Sequence, residues 1–118
     1  MSQPNKNYIA GDWVSGASDI ANINPSDLSD VVGHFAQANS SQLDDAIAAA
    51  HAAQAEWAAY GLERKQAVLN AIGNEMMARA EELGTLLSRE EGKPLAEGKG
   101  EVLRAGRIFT SYAAEVPR

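Results

Sequence analysis

The chain contains no cysteine, so no thiolate nucleophile, thiolate zinc site or disulfide frame can be built from it. Its two histidines, His34 and His51, fit no common metal-ligand spacing. His34 falls in a strand-like stretch and His51 in an alanine-rich one, and each reads as a packing or surface residue rather than a catalyst. Carboxylates come in adjacent pairs, Asp44-Asp45, Glu81-Glu82 and Glu90-Glu91. General acid–base work needs two carboxyl groups converging in a cleft, whereas neighbours on a helix point apart, so the pairs read as solvated faces. Ser15, Ser18, Ser26 and Ser29 lie in turn-forming sequence without a Gly-x-Ser-x-Gly elbow. Gly92-Lys93 and Gly98-Lys99-Gly100 invite comparison with a phosphate loop. Position 87, where such a loop needs glycine, is Leu87, and Pro94 follows Lys93 in place of Ser or Thr. No third glycine completes a dinucleotide fingerprint after Gly100. Asn39-Ser40-Ser41 fits the glycosylation pattern, which is read as chance because no secretory signal is visible.

The chemistry-bearing residues therefore form no self-contained active site, and the remaining information lies in the elements. The 118 residues, with 45% hydrophobic and 22% charged, suit one small soluble globular domain. A net charge of −6 argues against a nucleic-acid partner and against anionic membrane surfaces. No apolar run reaches the roughly 18 residues of a membrane span, and a cytoplasmic location is the default expectation.

Two short extended stretches flank a turn in Tyr8 to Val14, where Gly11 tolerates positive φ and Asp12 suits a turn. Ile20 to Ile23 and Val31 to Ala36 are further extended stretches, expected to pair as a hairpin across the long turn Asn24 to Asp30. Character changes near Asn39. Residues 1–38 are expected to form the strand and hairpin region and residues 39–118 a helical region, one partial domain in all. Ser41 to Asp44 resembles a capping box, with Asp44 and Asp45 complementing the helix dipole. The first helix carries Leu43, Ile47, Ala50, Gln54 and Trp57 on one face and is stopped by Gly61. The second runs from about Leu62 to Arg79, with Val68, Leu69, Ile72, Met76 and Met77 on its apolar side. In the third, Leu83, Leu86, Leu87 and Glu90 share the inner side, and Gly92 suits the position after its end. Pro94 opens the fourth, whose stripe is Val102, Ala105, Phe109, Tyr112 and Val116. Gly98 and Gly100 weaken its first turns, so regular helix is expected nearer Glu101.

The order of short motifs is more specific than any one of them. Tyr8-Ile9-x-Gly11-x-Trp13-Val14 is followed by Ile23-Asn24-Pro25, Val32-Gly33, Leu43-Asp44-x-Ala46-Ile47-x-Ala49-Ala50, Trp57 and Arg64. Arg89-Glu90-Glu91-Gly92-Lys93-Pro94-Leu95-x-Glu97 comes next, then Glu101-Val102 and Tyr112-Ala113-x-Glu115. From Tyr8 onward this resembles the opening segment of the aldehyde dehydrogenase superfamily. The resemblance implies an α+β segment of a larger α/β fold, with N-terminal strands and about four helices that pack on a dinucleotide-binding domain. It implies that the whole enzyme uses NAD or NADP to oxidise an aldehyde to an acid, and that it is a homo-oligomer. The family's cysteine nucleophile, glutamate base, oxyanion-stabilising asparagine and nucleotide-contacting elements have no counterpart among these residues. Alone, the segment is expected to be inactive and to bind no cofactor, its partner being the remainder of the dehydrogenase chain. The alternative is a free-standing, non-catalytic interaction module derived from that family.

By the same resemblance, Lys93 belongs to a structural turn at the surface. The resemblance implies a monovalent cation held by the carbonyl of Ile23 and the carboxylate of Glu101, with its remaining ligand from outside these residues, the alternative being that Glu101 is a helix N-terminal acid. Ile23-Asn24-Pro25-x-Asp27 with Asp30-Val31-Val32-Gly33 looks most like the bacterial semialdehyde dehydrogenases, such as the α-ketoglutaric semialdehyde branch. The Val102 stripe is expected to be partly exposed and to dock on the rest of the enzyme, so that Val102→Asp would impair docking.

Overall fold

The computed structural model describes residues 4–118. Met1 to Gln3, the start of the expected strand region, lie outside the described residues. Four strands precede four helices: β1 (Asn7–Ile9), β2 (Asp12–Val14), β3 (Ser18–Ile23), β4 (Val31–Gln37), α1 (Ser40–Ala59), α2 (Leu62–Ala78), α3 (Ala80–Glu91) and α4 (Leu95–Glu115). Contacts group them into two compact units, residues 1–59 and 60–118. The strand-to-helix change at Asn39 thus falls inside the first unit, which keeps α1 with the strands.

In the first unit, β1 and β2 pair antiparallel with Ile9 opposite Asp12. The connecting residues both have positive φ, Ala10 at 54° and Gly11 at 92°. Two such residues match the right-handed twist of the flanking strands, which is why this loop length works. Asp12 stands in the strand, not the turn. Tyr8 and Trp13, directly opposite, bring their rings to 5.0 Å between centroids, a tilted aromatic pair.

β3 and β4 form the expected hairpin, with an irregularity between Asn22 and Ile23. Its long connection is organised by short polar side chains that take over backbone pairing. Asn24 Oδ1 accepts from the Ser26 amide at 2.9 Å, Asp27 Oδ1 accepts from the Ser29 amide at 3.1 Å, and Asn24 Nδ2 donates to Asp30 Oδ2 at 3.1 Å. On the other side of β4, Asn5 bridges to Phe35 in parallel sense.

The capping box lies two residues before the expected one. The Asn39 side-chain oxygen accepts from the Gln42 amide at 2.9 Å, and Gln42 Oε1 accepts from the Asn39 amide at 3.2 Å. A glutamine at N3 is long enough to reach back to the cap. Helix begins at Ser40, so Asp44 and Asp45 fall beyond the first turn, where the dipole contributes little. Gln42 Nε2 also donates to the Ser15 carbonyl at 2.7 Å, tying the helix start to the segment after β2. Asn39→Ala is expected to lower the stability of this unit by about 1 kcal/mol. Chemical denaturation of the variant measures this, and an unchanged midpoint would remove the cap from the account.

No residue of α1 is buried, and its expected inner face stays open, with Leu43 57%, Ile47 60% and Trp57 43% exposed. Gly61 does not end α1 in a left-handed turn. Its φ of −60° and ψ of 156° make it the extended cap before α2.

In the second unit, α4 packs against both α2 and α3, which scarcely meet each other. The buried face of α4 is Gly98, Val102, Gly106 and Ala113, with Val102 7% and Ala113 0% exposed. Tyr112, placed in the apolar stripe by periodicity, is 66% exposed. The reason is steric: the helices approach through glycines. A Cβ on Gly73 of α2 would stand 2.6 Å from the Gly106 carbonyl oxygen, and one on Gly84 of α3 would stand 2.7 Å from Lys99 Cα. Regular helix accordingly starts at Leu95, not Glu101, because Gly98 is a contact surface in the first turns. On α3 the buried residue is likewise Gly84, while Glu90 is exposed. Met77 serves packing, its Cγ lying where a Cβ on Gly106 would come within 2.6 Å.

Candidate functional site

The best-defined cluster of charged groups lies at the α3–α4 corner. The corner is made by Gly92, in the left-handed region at φ 70°, whose amide donates to the Ser88 carbonyl at 2.8 Å. Pro94 caps α4 at φ −57°. A left-handed residue after the helix end and a proline before the next helix set the turn, and both placements follow from backbone sterics. Between them, Lys93 is directed inward. Its side chain is only 15% exposed, and its Nζ lies 2.5 Å from Glu91 Oε2 and 2.8 Å from Glu101 Oε1. Lys93 is therefore not the surface residue expected of a structural turn. Hydrogen bonding to Glu101, and then to Glu91, raises its pKa above the ordinary lysine value, so the ammonium is charged throughout the neutral range.

A second ion pair joins the same helices, Lys99 Nζ of α4 to Glu81 Oε2 of α3 at 2.6 Å. Glu81 and Glu91, read as solvated acids, are thus exposed carboxylates engaged with lysines. The phosphate-loop reading of Gly98-Lys99-Gly100 fails on structure as well as sequence. All three are helical, and Gly98 is pressed against Gly84 and Ser88.

At the start of α3, Arg79 donates to both Glu82 oxygens, at 2.9 Å from Nε and 2.6 Å from Nη2. The arginine hydrogen bond holds the Glu82 pKa below the ordinary carboxylate value. A depressed carboxylate pKa contributes stability above the unfolded value and loses it as pH falls through the folded value. Amide protection in the first turn of α3 is therefore expected to fall as the pH drops below the ordinary carboxylate range. Glu82→Gln should abolish that step. A step of the same size in the variant would assign it to another group.

Glu101 lies in the second turn of α4 or beyond, since the helix starts at Leu95, so the helix N-terminal reading does not hold. It lines a shallow hollow with Glu97, Gly100 and Arg104. Ile23 ends β3 at the strand irregularity and is 44% exposed. The two belong to different compact units. Among the described residues no three histidine, aspartate or glutamate side chains converge as metal ligands. His34 Nδ1 lies 2.9 Å from Asp19 Oδ2 across the hairpin, both about half exposed, and no hydroxyl nucleophile joins them in the described hydrogen bonds. His51 is exposed on α1.

The Lys93 cluster was not readable beforehand. Lys93 and Glu101 have no helical spacing, because the corner and the start of α4 intervene. The signal available was a lysine between glycine and proline with acids on both sides. Among the described residues, no helix is long and apolar enough to cross a membrane.

Comparison with known proteins places this arrangement. The model of the aldehyde dehydrogenase family matches residues 13–118. The α-ketoglutarate semialdehyde dehydrogenase of Haloferax volcanii is 33% identical over 117 residues, covering 98% of this chain and 24% of that protein. The α-ketoglutaric semialdehyde dehydrogenase of Bacillus subtilis is 37% identical over 112 residues, covering 92% and 23%. Among solved structures, an NAD-dependent benzaldehyde dehydrogenase from Corynebacterium glutamicum superposes with a TM-score of 0.89 at 33% identity, covering 97% of this chain and 25% of that one. The chain spans about a quarter of the length of the relatives it matches.

Proposed function

The chain belongs to the aldehyde dehydrogenase family, and on that premise we propose that it serves as the N-terminal structural quarter of an NAD(P)-dependent aldehyde dehydrogenase. Within that enzyme its role is to pack and position, and the oxidation of an aldehyde to a carboxylic acid falls to groups elsewhere. The observation that carries this reading is the match in fold and sequence to one quarter of several dehydrogenases, with a TM-score of 0.89 over 97% of the chain. The chemistry agrees with it. A thiolate is needed to add covalently to the aldehyde carbonyl in this family, and these residues include no cysteine. The surface agrees as well. Large apolar side chains stay exposed along the chain, including Trp13 at 66%, Leu28 at 79%, Ile47 at 60% and Ile108 at 49%. Exposed apolar area of this kind suits packing against further protein.

The favoured substrate class is a semialdehyde, supported by two relatives named for α-ketoglutarate semialdehyde. The nicotinamide dinucleotide supplies the hydride acceptor when bound, and its binding groups are assigned to the remainder of the enzyme. That remainder is the proposed partner, in a homo-oligomeric cytoplasmic enzyme.

Reconstitution tests the reading. The 118-residue chain is mixed with a Bacillus subtilis relative lacking its matched quarter, and NAD(P) reduction is followed with α-ketoglutarate semialdehyde. Activity above that of either piece alone is expected. A folded, associated mixture with no activity would overturn the structural assignment. Activity of the chain alone would overturn the division of roles.

A further inference from the structure

The geometry points to the Lys93 ammonium as the resident monovalent cation of the Glu101 carboxylate, so that the α3–α4 corner is held by the protein's own charge and takes no potassium or sodium ion there. This inference stands apart from the proposed function, because it concerns groups within the second unit only.

A potassium or sodium ion wants several oxygen ligands and must give up water to obtain them. At Glu101 one of those oxygens, Oε1, is already engaged by an ammonium. Lys93 Nζ lies 2.8 Å from Glu101 and 2.5 Å from Glu91, so one nitrogen joins both carboxylates. An ammonium is a compact point charge with three donors, close in kind to a bound monovalent ion. It is also tethered. Gly92 in its left-handed turn and Pro94 with its fixed φ hold Lys93 in place, whereas a dissolved ion must surrender translational freedom to occupy the same spot. The lysine side chain is 15% exposed, while Glu91 and Glu101 are about half exposed, so the corner's own side chains cover most of the lysine but leave the carboxylates open to water. On the open side, Arg104 borders the hollow that Glu101 lines. An incoming cation would therefore meet two fixed positive charges. The cation site implied by family resemblance at Glu101 does not fit these residues.

The test uses the full 118-residue chain and its Lys93→Met and Lys93→Arg variants. Thermal unfolding is followed in potassium, sodium and choline chloride at one ionic strength. The parent is expected to melt at one temperature in all three salts, and Lys93→Arg likewise. Lys93→Met removes the ammonium that joins Glu91 and Glu101. It should melt several degrees lower in choline and regain part of the loss in potassium or sodium. A parent stabilised by potassium or sodium over choline overturns the proposal, as does a Lys93→Met protein indifferent to the cation. If Lys93→Met does not fold, sodium-23 relaxation on the parent decides. Broadening that Glu101→Gln removes would show an ion at this carboxylate and overturn the proposal, and the absence of such broadening supports it.

Discussion

Gly73→Val is expected to cost the helical unit about 3 kcal/mol, at the upper end of what overpacking does in a close-packed interior. The first added carbon alone would lie 2.6 Å from the Gly106 carbonyl oxygen, 2.8 Å from Thr110 Cγ2 and 3.2 Å from Phe109 Cβ. The nearest of these is backbone, which cannot rotate away, so α2 and α4 must separate. Val102, one of the few buried apolar residues among those described, lies on the same buried side of α4 as Gly106. Gly100→Ala is the matched control. It lies in α4 as well, but a Cβ there meets nothing within 4 Å. Removing the conformational cost of a helical glycine should stabilise that variant by about 1 kcal/mol. Urea unfolding followed by helical circular dichroism measures both. Equal midpoints for Gly73→Val and the parent would remove the close approach from the account of this fold.

That contrast shows why part of the fold was legible in the sequence and part was not. Alternation, turn residues and caps act within a few residues, so the two hairpins, the four helices and the left-handed Gly92 could all be placed. Helical periodicity finds faces by marking apolar side chains. On α4 it found Val102, which is buried, but missed Gly98 and Gly106, because residues without side chains make part of the contact face and propensity marks them only as weak helix. The same method put Tyr112 into the stripe because it counts apolar size without asking what lies opposite. The cap of α1 was misplaced by two residues because Ser41 and Asn39 both suit the role, and the choice depends on whether Gln42 or Asp44 can reach back. The Lys93 cluster depends on the path of the chain around a corner, which no local pattern encodes. The absence of catalytic groups, by contrast, needed only the residue inventory.

Val102→Asp is where the two readings of α4 part most sharply. If the stripe of Val102, Ala105, Phe109, Tyr112 and Val116 were a docking face, the change would leave the isolated chain intact and weaken only its association. The structure places Val102 inside its own unit at 7% exposure, on the side of α4 that carries the glycine contacts. Losing the buried valine removes roughly 1.5–3 kcal/mol of transfer free energy. The aspartate adds either a desolvated charge or, if it takes up a proton, an unpaired polar group costing about 1–3 kcal/mol more. Residues 60–118 form a small unit, for which total stability is roughly 3–9 kcal/mol at ~0.05–0.15 kcal/mol per residue. The two losses together approach that total, so the helical unit of Val102→Asp is expected to be largely unfolded at room temperature. Tyr112→Asp, at a position 66% exposed, should change stability by no more than about 0.5 kcal/mol. Comparing the thermal melts of these two variants of the free chain separates the cases. A cooperative melt for Val102→Asp close to that of the parent would return Val102 to an outward face. Collapse of Val102→Asp with an unperturbed Tyr112→Asp assigns the glycine-lined side of α4 to the unit's own core. The side bearing Ile108 and Tyr112 would then be the one left for a partner.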